Sequence, residues 1–156
     1  MNILILGIGQ SLRRDDAAGL EVVRLWQARH PDSASQVQVE LSELPDLALL
    51  DLLEGMDAAI LVDMVQSSAS AGTVIRLGPD ELTSFTPDAR SAHGWGVTET
   101  LRLGRSLVPS LAKCRVTLIG ITGKDFSVGV GLSHEVRTAL EAAAELVERE
   151  FQGCLK

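Results

Sequence analysis

The chain has 156 residues, enough for one domain over 1–156, and 46% of it is hydrophobic, which supports one well-buried core. Aromatic residues make up 3% with no Tyr, so that core has to be aliphatic, built from Leu, Val, Ile and Ala. Fourteen basic residues stand against 21 acidic ones, a net charge of −7, which argues against a polyanion-binding surface of clustered Lys and Arg and so against a nucleic-acid partner.

In chain order, Asn2–Ile8 (NILILGI) opens with no basic segment and no cleavage pattern, so it reads as a strand and not a signal peptide. A polar loop follows, then a helix over Asp16–Ala28 with Leu20, Val23, Leu25 and Trp26 at helical spacing. Val37–Leu41 is a weaker strand, and Pro45–Glu54 is a helix with Pro in its first turn. Ala58–Val65 (AAILVDMV) is a central strand and Thr73–Leu77 a weaker one. The stretch Gly78–Gly96, marked by Pro and Gly, has little periodicity and reads as one long loop, a length that usually serves function. A helix over Thr98–Leu107 and a strand over Arg115–Thr122 (RVTLIGIT) come next. The last helix runs from Ser133, its N-cap, to about Gln152, with Val136, Leu140, Ala143, Val147 and Phe151 forming its apolar stripe.

The three strongest runs are almost continuously apolar, the pattern of strands buried on both faces. With alternating helices, this predicts an α/β fold, a three-layer α/β/α sandwich around a mostly parallel five-stranded twisted sheet. No run of 18 apolar residues exists, so no membrane span is expected. Cys114 and Cys154 form no Cys-x-x-Cys motif, which suggests neither a structural zinc site nor a disulfide framework and fits a reducing cytoplasm.

In open α/β sheets ligands bind at the carboxyl ends of the strands, so the polar residues just beyond each run carry the chemistry. These are Asp15 and Asp16 after the first strand, Asp63 at the end of the central one, and Lys124 and Asp125 after the fifth. Asp63 is the sharpest of them, because an ionisable group inside AAILVDMV is costly to bury unless paired or ligated. Its plain alternative is a turn cap or an Arg partner, and for Asp15 or Asp16 it is a helix N-terminal acid. His93, among the small residues Ser91, Ala92, Gly94 and Gly96, is set apart from His30 and His134, which read as solvated bystanders. Two carboxylates and an imidazole meeting at a sheet edge would make a mixed N/O site suited to zinc or nickel, with positions left open.

Two rival readings compete. Gly7-x-Gly9 after a strand suggests a nucleotide-binding, Rossmann-like oxidoreductase, but Leu12 stands at the third glycine position. A phosphoacceptor receiver domain would also use acids after its first and third strands and a lysine after the fifth, here Lys124. Seven residues, Gly9 to Asp15, however, separate Ile8 from Asp16, and His93 would have no role.

The opening ILILGIGQSLRRDDAAG resembles the LxLGxGNxLxxDDGxG start of the nickel–iron hydrogenase maturation endopeptidases. The resemblance continues through ILVDMV, SAHGW, VTLIGIT and the Gly131-Leu132-Ser133 that opens the last helix. It implies a cytoplasmic, nickel-dependent endopeptidase that removes the C-terminal extension of a hydrogenase large-subunit precursor once nickel is inserted. By position it implies that Asp16, Asp63 and His93 recognise nickel presented by the precursor, with zinc or cadmium able to substitute in a crystal. Three departures stand out. Gln10 replaces the usual Asn, and Asp16 stands where several members have Glu, which leaves Asp15 as the alternative ligand. An Asp-Gly-Gly-Thr segment is replaced by Leu41-Ser42-Glu43-Leu44-Pro45-Asp46-Leu47, closer to the form found in proteases of bidirectional, cofactor-reducing hydrogenases. No serine or cysteine has a motif base, and no His-Glu-x-x-His occurs, so neither covalent catalysis nor an ordinary zinc protease is expected.

Overall fold

The computed structural model describes residues 1–43, 47–84 and 97–156. Five strands, β1 (Ile3–Ile8), β2 (Gln38–Ser42), β3 (Ala58–Val65), β4 (Val74–Leu77) and β5 (Arg115–Thr122), form one sheet in the order β2-β1-β3-β5-β4. Four of them are parallel, and β4 pairs antiparallel with β5 at one edge. The expected mostly parallel sheet is therefore present, and both its faces are covered by helices. Among the described residues no helix is long and apolar enough to cross a membrane.

The apolar runs are buried because each face meets its own layer. On one face Ile3, Ile5, Ile60, Val62, Ile119 and Ile121 pack against α1 (Ala18–Arg29) and α6 (His134–Cys154). Trp26 and Phe151, the two largest fully buried side chains, meet edge to face with ring centroids 6.4 Å apart in that layer. The Trp26 Nε1–H donates to Glu148 at 2.8 Å, so the indole nitrogen is not left unpaired in the interior. On the other face Leu4, Leu6, Ala59, Leu61 and Leu118 form a second cluster. They pack against α3 (Ala48–Leu53), α4 (Pro79–Ser84) and α5 (Val97–Leu107). A short α2 (Pro31–Ala34) follows α1 directly.

Three expectations are corrected. The first helix starts at Ala18 and not Asp16, because residues Arg14–Ala17 form a 3-10 turn entered through Arg14, whose φ is +47°. The loop expected from Gly78 begins as helix α4. Pro79 occupies its first turn, and the Glu81 carboxylate accepts the Gly78 N–H at 2.7 Å, as the third-position acid of a capping box does. Ser133 does stand at the N-cap of α6, but its hydroxyl makes no capping bond because it is used elsewhere. Pro45 and most of the 78–96 stretch lie outside the described residues.

Candidate active site

The carboxyl ends of β1, β3 and β5 converge where the first loop turns back over the sheet. Glycines permit the approach. A Cβ on Gly9 would lie 2.0 Å from the Asp16 carbonyl oxygen. One on Gly19 would lie 2.3 Å from the Ile8 oxygen and 2.2 Å from that of Val62. Gly19 thus seats the start of α1 directly on the ends of β1 and β3. This is the close helix–strand packing that the Rossmann pattern assigns to its third glycine, achieved at a different position. Leu12, at the Rossmann position, is exposed.

Asp15 and Asp16 are neighbours with opposite surroundings. Asp15 is fully buried and accepts four hydrogen bonds. Lys124 N–H (2.8 Å), Asp125 N–H (2.9 Å) and the Ser133 hydroxyl (2.9 Å) reach Oδ2, and Ser133 N–H (2.7 Å) reaches Oδ1. Its own N–H returns a bond to the Asp125 carbonyl at 3.0 Å. Burial by itself would raise this carboxyl. The N–H groups of Asp125, Ser133 and Lys124 and the Ser133 hydroxyl outweigh it and hold Asp15 below the usual carboxylate range. Asp15 is therefore a clasp between the first loop and the loop from β5 to α6, and it explains where the Ser133 hydroxyl goes.

Asp16 is buried on the turn that packs against β3, and Asp63 lies two residues before the end of that strand. Asp63 pairs in register with Gly120 of β5 and follows Ala59 and Leu61 on the face that meets α3 and α5. It keeps some surface open at the mouth of the site. Its carboxyl is nonetheless pushed well above the ordinary value, first by burial and then by the nearby Asp16 carboxylate, with the Met64 N–H only partly opposing them. The structure thus brings Asp16 and Asp63 into one electrostatic unit. His93 lies outside the described residues. Among the described residues no group of three or more His, Cys, Asp or Glu is arranged to hold a metal by itself.

The remaining candidates fall away from this site. The Lys124 ammonium pairs with Glu135 at 2.9 Å and is well exposed, so only its backbone serves the clasp, which is not the arrangement a receiver domain requires. The Ser11 hydroxyl donates to Glu43 and ties the first loop to the end of β2. Cys114 precedes β5 at the opposite end of the sheet, and burial pushes its thiol up to about 11, which disqualifies it as a nucleophile near neutral pH.

The profile of the HycI hydrogenase maturation protease family matches residues 23–150, which include Asp63 and His93 and begin after Asp16. The chain belongs to the hydrogenase maturation protease family. It is similar to the hydrogenase 2 maturation protease of Escherichia coli, at 28% identity over 94% of this chain and 88% of that protein. It is also similar to protein FrxA of Pyrococcus furiosus, at 30% identity over 85% and 93% of the two chains. Among solved structures, the [NiFe] hydrogenase maturation protease HybD of Thermococcus kodakarensis superposes with a TM-score of 0.75 at 27% identity, covering 96% of this chain and 98% of that one. The E. coli HybD fold superposes with a TM-score of 0.82 at 24% identity, covering 99% and 94%. Membership makes the chain a protease, a hydrolase of peptide bonds, in hydrogenase maturation.

Sequence reasoning missed Gly19 as the seat of α1, and it missed the Asp15 clasp. The glycine was visible at the end of the DDAAG motif, but the carbonyls it touches come from two different strands. The clasp joins residues more than 100 positions apart, and no local pattern announces that.

Proposed function

We propose that this maturation protease removes the C-terminal extension from a nickel-loaded hydrogenase large-subunit precursor in the cytoplasm, with Asp16, Asp63 and His93 gripping the nickel that the precursor carries. The observation that carries this reading is the Asp16–Asp63 pair, two carboxylates close enough at the carboxyl end of the sheet that the charge of Asp16 pushes the Asp63 carboxyl up. Such a pair favours an incoming cation, because the metal removes both the repulsion and the cost of burying an ionised Asp63. A carboxylate–carboxylate–imidazole set suits nickel and leaves positions for ligands from the precursor itself. Between the two neighbouring acids, the reading assigns the ligand role to Asp16, since the oxygens of Asp15 are already committed to four donors. The client is a bidirectional, cofactor-reducing hydrogenase in this reading, chosen through the 41–47 segment.

Purified protease incubated with nickel-loaded and nickel-free precursors, followed by intact-mass measurement, tests it. Loss of a C-terminal peptide from the nickel-loaded form alone is expected. His93→Ala and Asp63→Asn should abolish that loss. Cleavage of both forms at equal rates would overturn the nickel role, and precursors from other hydrogenase classes, offered in parallel, decide the client.

A further inference from the structure

Two carboxylates at one end of a sheet repel, so the segment that brings Asp16 beside Asp63 has to be fixed against that repulsion. The turn that carries Asp16 supplies little of this from its own residues. It is a 3-10 turn of four residues, Arg14–Ala17, and the residue before it, Arg13, makes no side-chain capping bond. Such short turns have poorer hydrogen-bond geometry than an α-helix. This one is also entered through Arg14 at a φ of +47°, a left-handed backbone that a non-glycine residue holds only under constraint from its surroundings.

That constraint comes from the segment between β5 and α6. Arg14 N–H donates to the Gly129 carbonyl at 3.2 Å and Asp15 N–H to the Asp125 carbonyl at 3.0 Å, while the Asp15 carboxylate takes its four bonds from Lys124, Asp125 and Ser133. Ser133 differs from the other partners in two ways. Lys124 and Asp125 both reach Oδ2 alone, through backbone groups that any residue would offer. Among the described residues Ser133 is the one that meets both oxygens, Oδ1 with its N–H and Oδ2 with its hydroxyl. Bonds to a single oxygen leave the carboxylate free to pivot, whereas a grip on both oxygens fixes its plane. The hydroxyl is also the one contact of the clasp that depends on side-chain type. Ser is favoured at an N-cap for the bond its hydroxyl makes to the helix, yet here that hydroxyl caps nothing and serves Asp15. Behind it, α6 is anchored in the core by Val136, Ala143, Val147 and Phe151, all fully buried.

We propose that Ser133 is a positioning residue for nickel recognition: acting through Asp15, it holds the 3-10 turn in the place that presents the Asp16 carboxylate beside Asp63. The proposal rests on the reading of Asp16, Asp63 and His93 as the grip on the nickel that the precursor carries. Ser133 itself touches neither metal nor precursor in this scheme. It transfers the fixed position of α6 to a strained turn that would otherwise relax away from a like charge, and a displaced ligand weakens a metal site without unfolding the protein.

The test is the ratio of affinities for nickel-loaded and nickel-free precursor, measured by stopped-flow before cutting proceeds and at a temperature where circular dichroism shows every variant folded. That ratio reports the metal grip alone, and a loss of stability by itself does not move it. Ser133→Ala is compared with Ser33→Ala, which removes a hydroxyl bond of the same kind, from Ser33 to Glu148 at 2.8 Å, in a helix far from the carboxylate pair. The ratio should fall about fivefold or more in Ser133→Ala, as expected when one of several charge-assisted bonds is lost, and stay at the parent value in Ser33→Ala. Ser133→Thr keeps the hydroxyl and should restore it. A parent-like ratio in Ser133→Ala would overturn the proposal and leave the nickel reading intact. So would an equal fall in the two alanine variants, which would trace the effect to stability, or a Ser133→Thr variant as impaired as Ser133→Ala, which would trace it to bulk and not to the hydroxyl. A parent protein that binds both precursors equally would overturn the nickel reading, and the proposal with it.

Discussion

Asp15, fully buried, and Asp63, partly so, are acids at the same end of the sheet, and the protein treats them in opposite ways. Asp15 receives three backbone N–H groups and one hydroxyl, so its negative charge is matched and its carboxyl is held low. Asp63 receives burial and a second carboxylate, so its charge is penalised and its carboxyl is held high. The contrast separates structure from function within a single loop. A charge met by four donors stabilises the fold, whereas a charge met by another charge costs stability and persists where a ligand can relieve it.

Removing the matched charge should have the largest effect. In Asp15→Asn an amide replaces one acceptor oxygen and faces N–H donors, leaving buried groups unpaired at a cost of about 3 kcal/mol. For a chain of this size that corresponds to a fall in Tm of roughly 6–12 °C, measurable by calorimetry. The sign with pH follows from the lowered carboxyl. Its stabilisation is complete above the ordinary value of 3.8 and is lost as pH falls through the lower folded value, so the gap between variant and parent should close in acid. A Tm within a degree of the parent at neutral pH would break the comparison.

The opposite sign is expected at Asp63, with a smaller effect. A carboxyl raised on folding costs nothing below its ordinary value of 3.8 and costs progressively more as pH rises toward the raised folded value. Asp63→Asn should therefore raise the thermal midpoint at neutral pH, leave it unchanged in strong acid, and lose processing. A variant less stable than the parent at pH 7 would mean that Asp63 is matched after all. The smallest effect belongs to Lys124→Met. The clasp uses the Lys124 backbone and not its ammonium, and the pair with Glu135 is well exposed. Denaturant midpoint and processing rate should both match the parent, and a large loss of activity would revive a role for the ammonium at the carboxylate pair.

Much of this architecture was legible from local pattern. Ala58–Val65 and Arg115–Thr122 match their strands residue for residue, because an apolar run buried on both faces leaves few alternatives. The long stripe of α6 was equally plain, whereas α2 was missed because a four-residue helix has no period to read. The start of α1 was missed because a strained Arg14 and the bonds of Asp15 hold the preceding turn in 3-10 form. Asp63 stood out as a charge inside an apolar run, which burial cost alone makes conspicuous.

The sequence by itself determined the α/β class, the central strands, the family, and Asp63 and Asp16 as the residues to watch. Periodicity, burial cost and motif are all local, and each is written in consecutive residues. Only the tertiary structure decided that Asp15 is a clasp and that Asp16 is the acid coupled to Asp63. The reason is that hydrogen-bond donors and neighbouring charges come from segments more than 45 positions away, brought together by the parallel crossovers of the sheet.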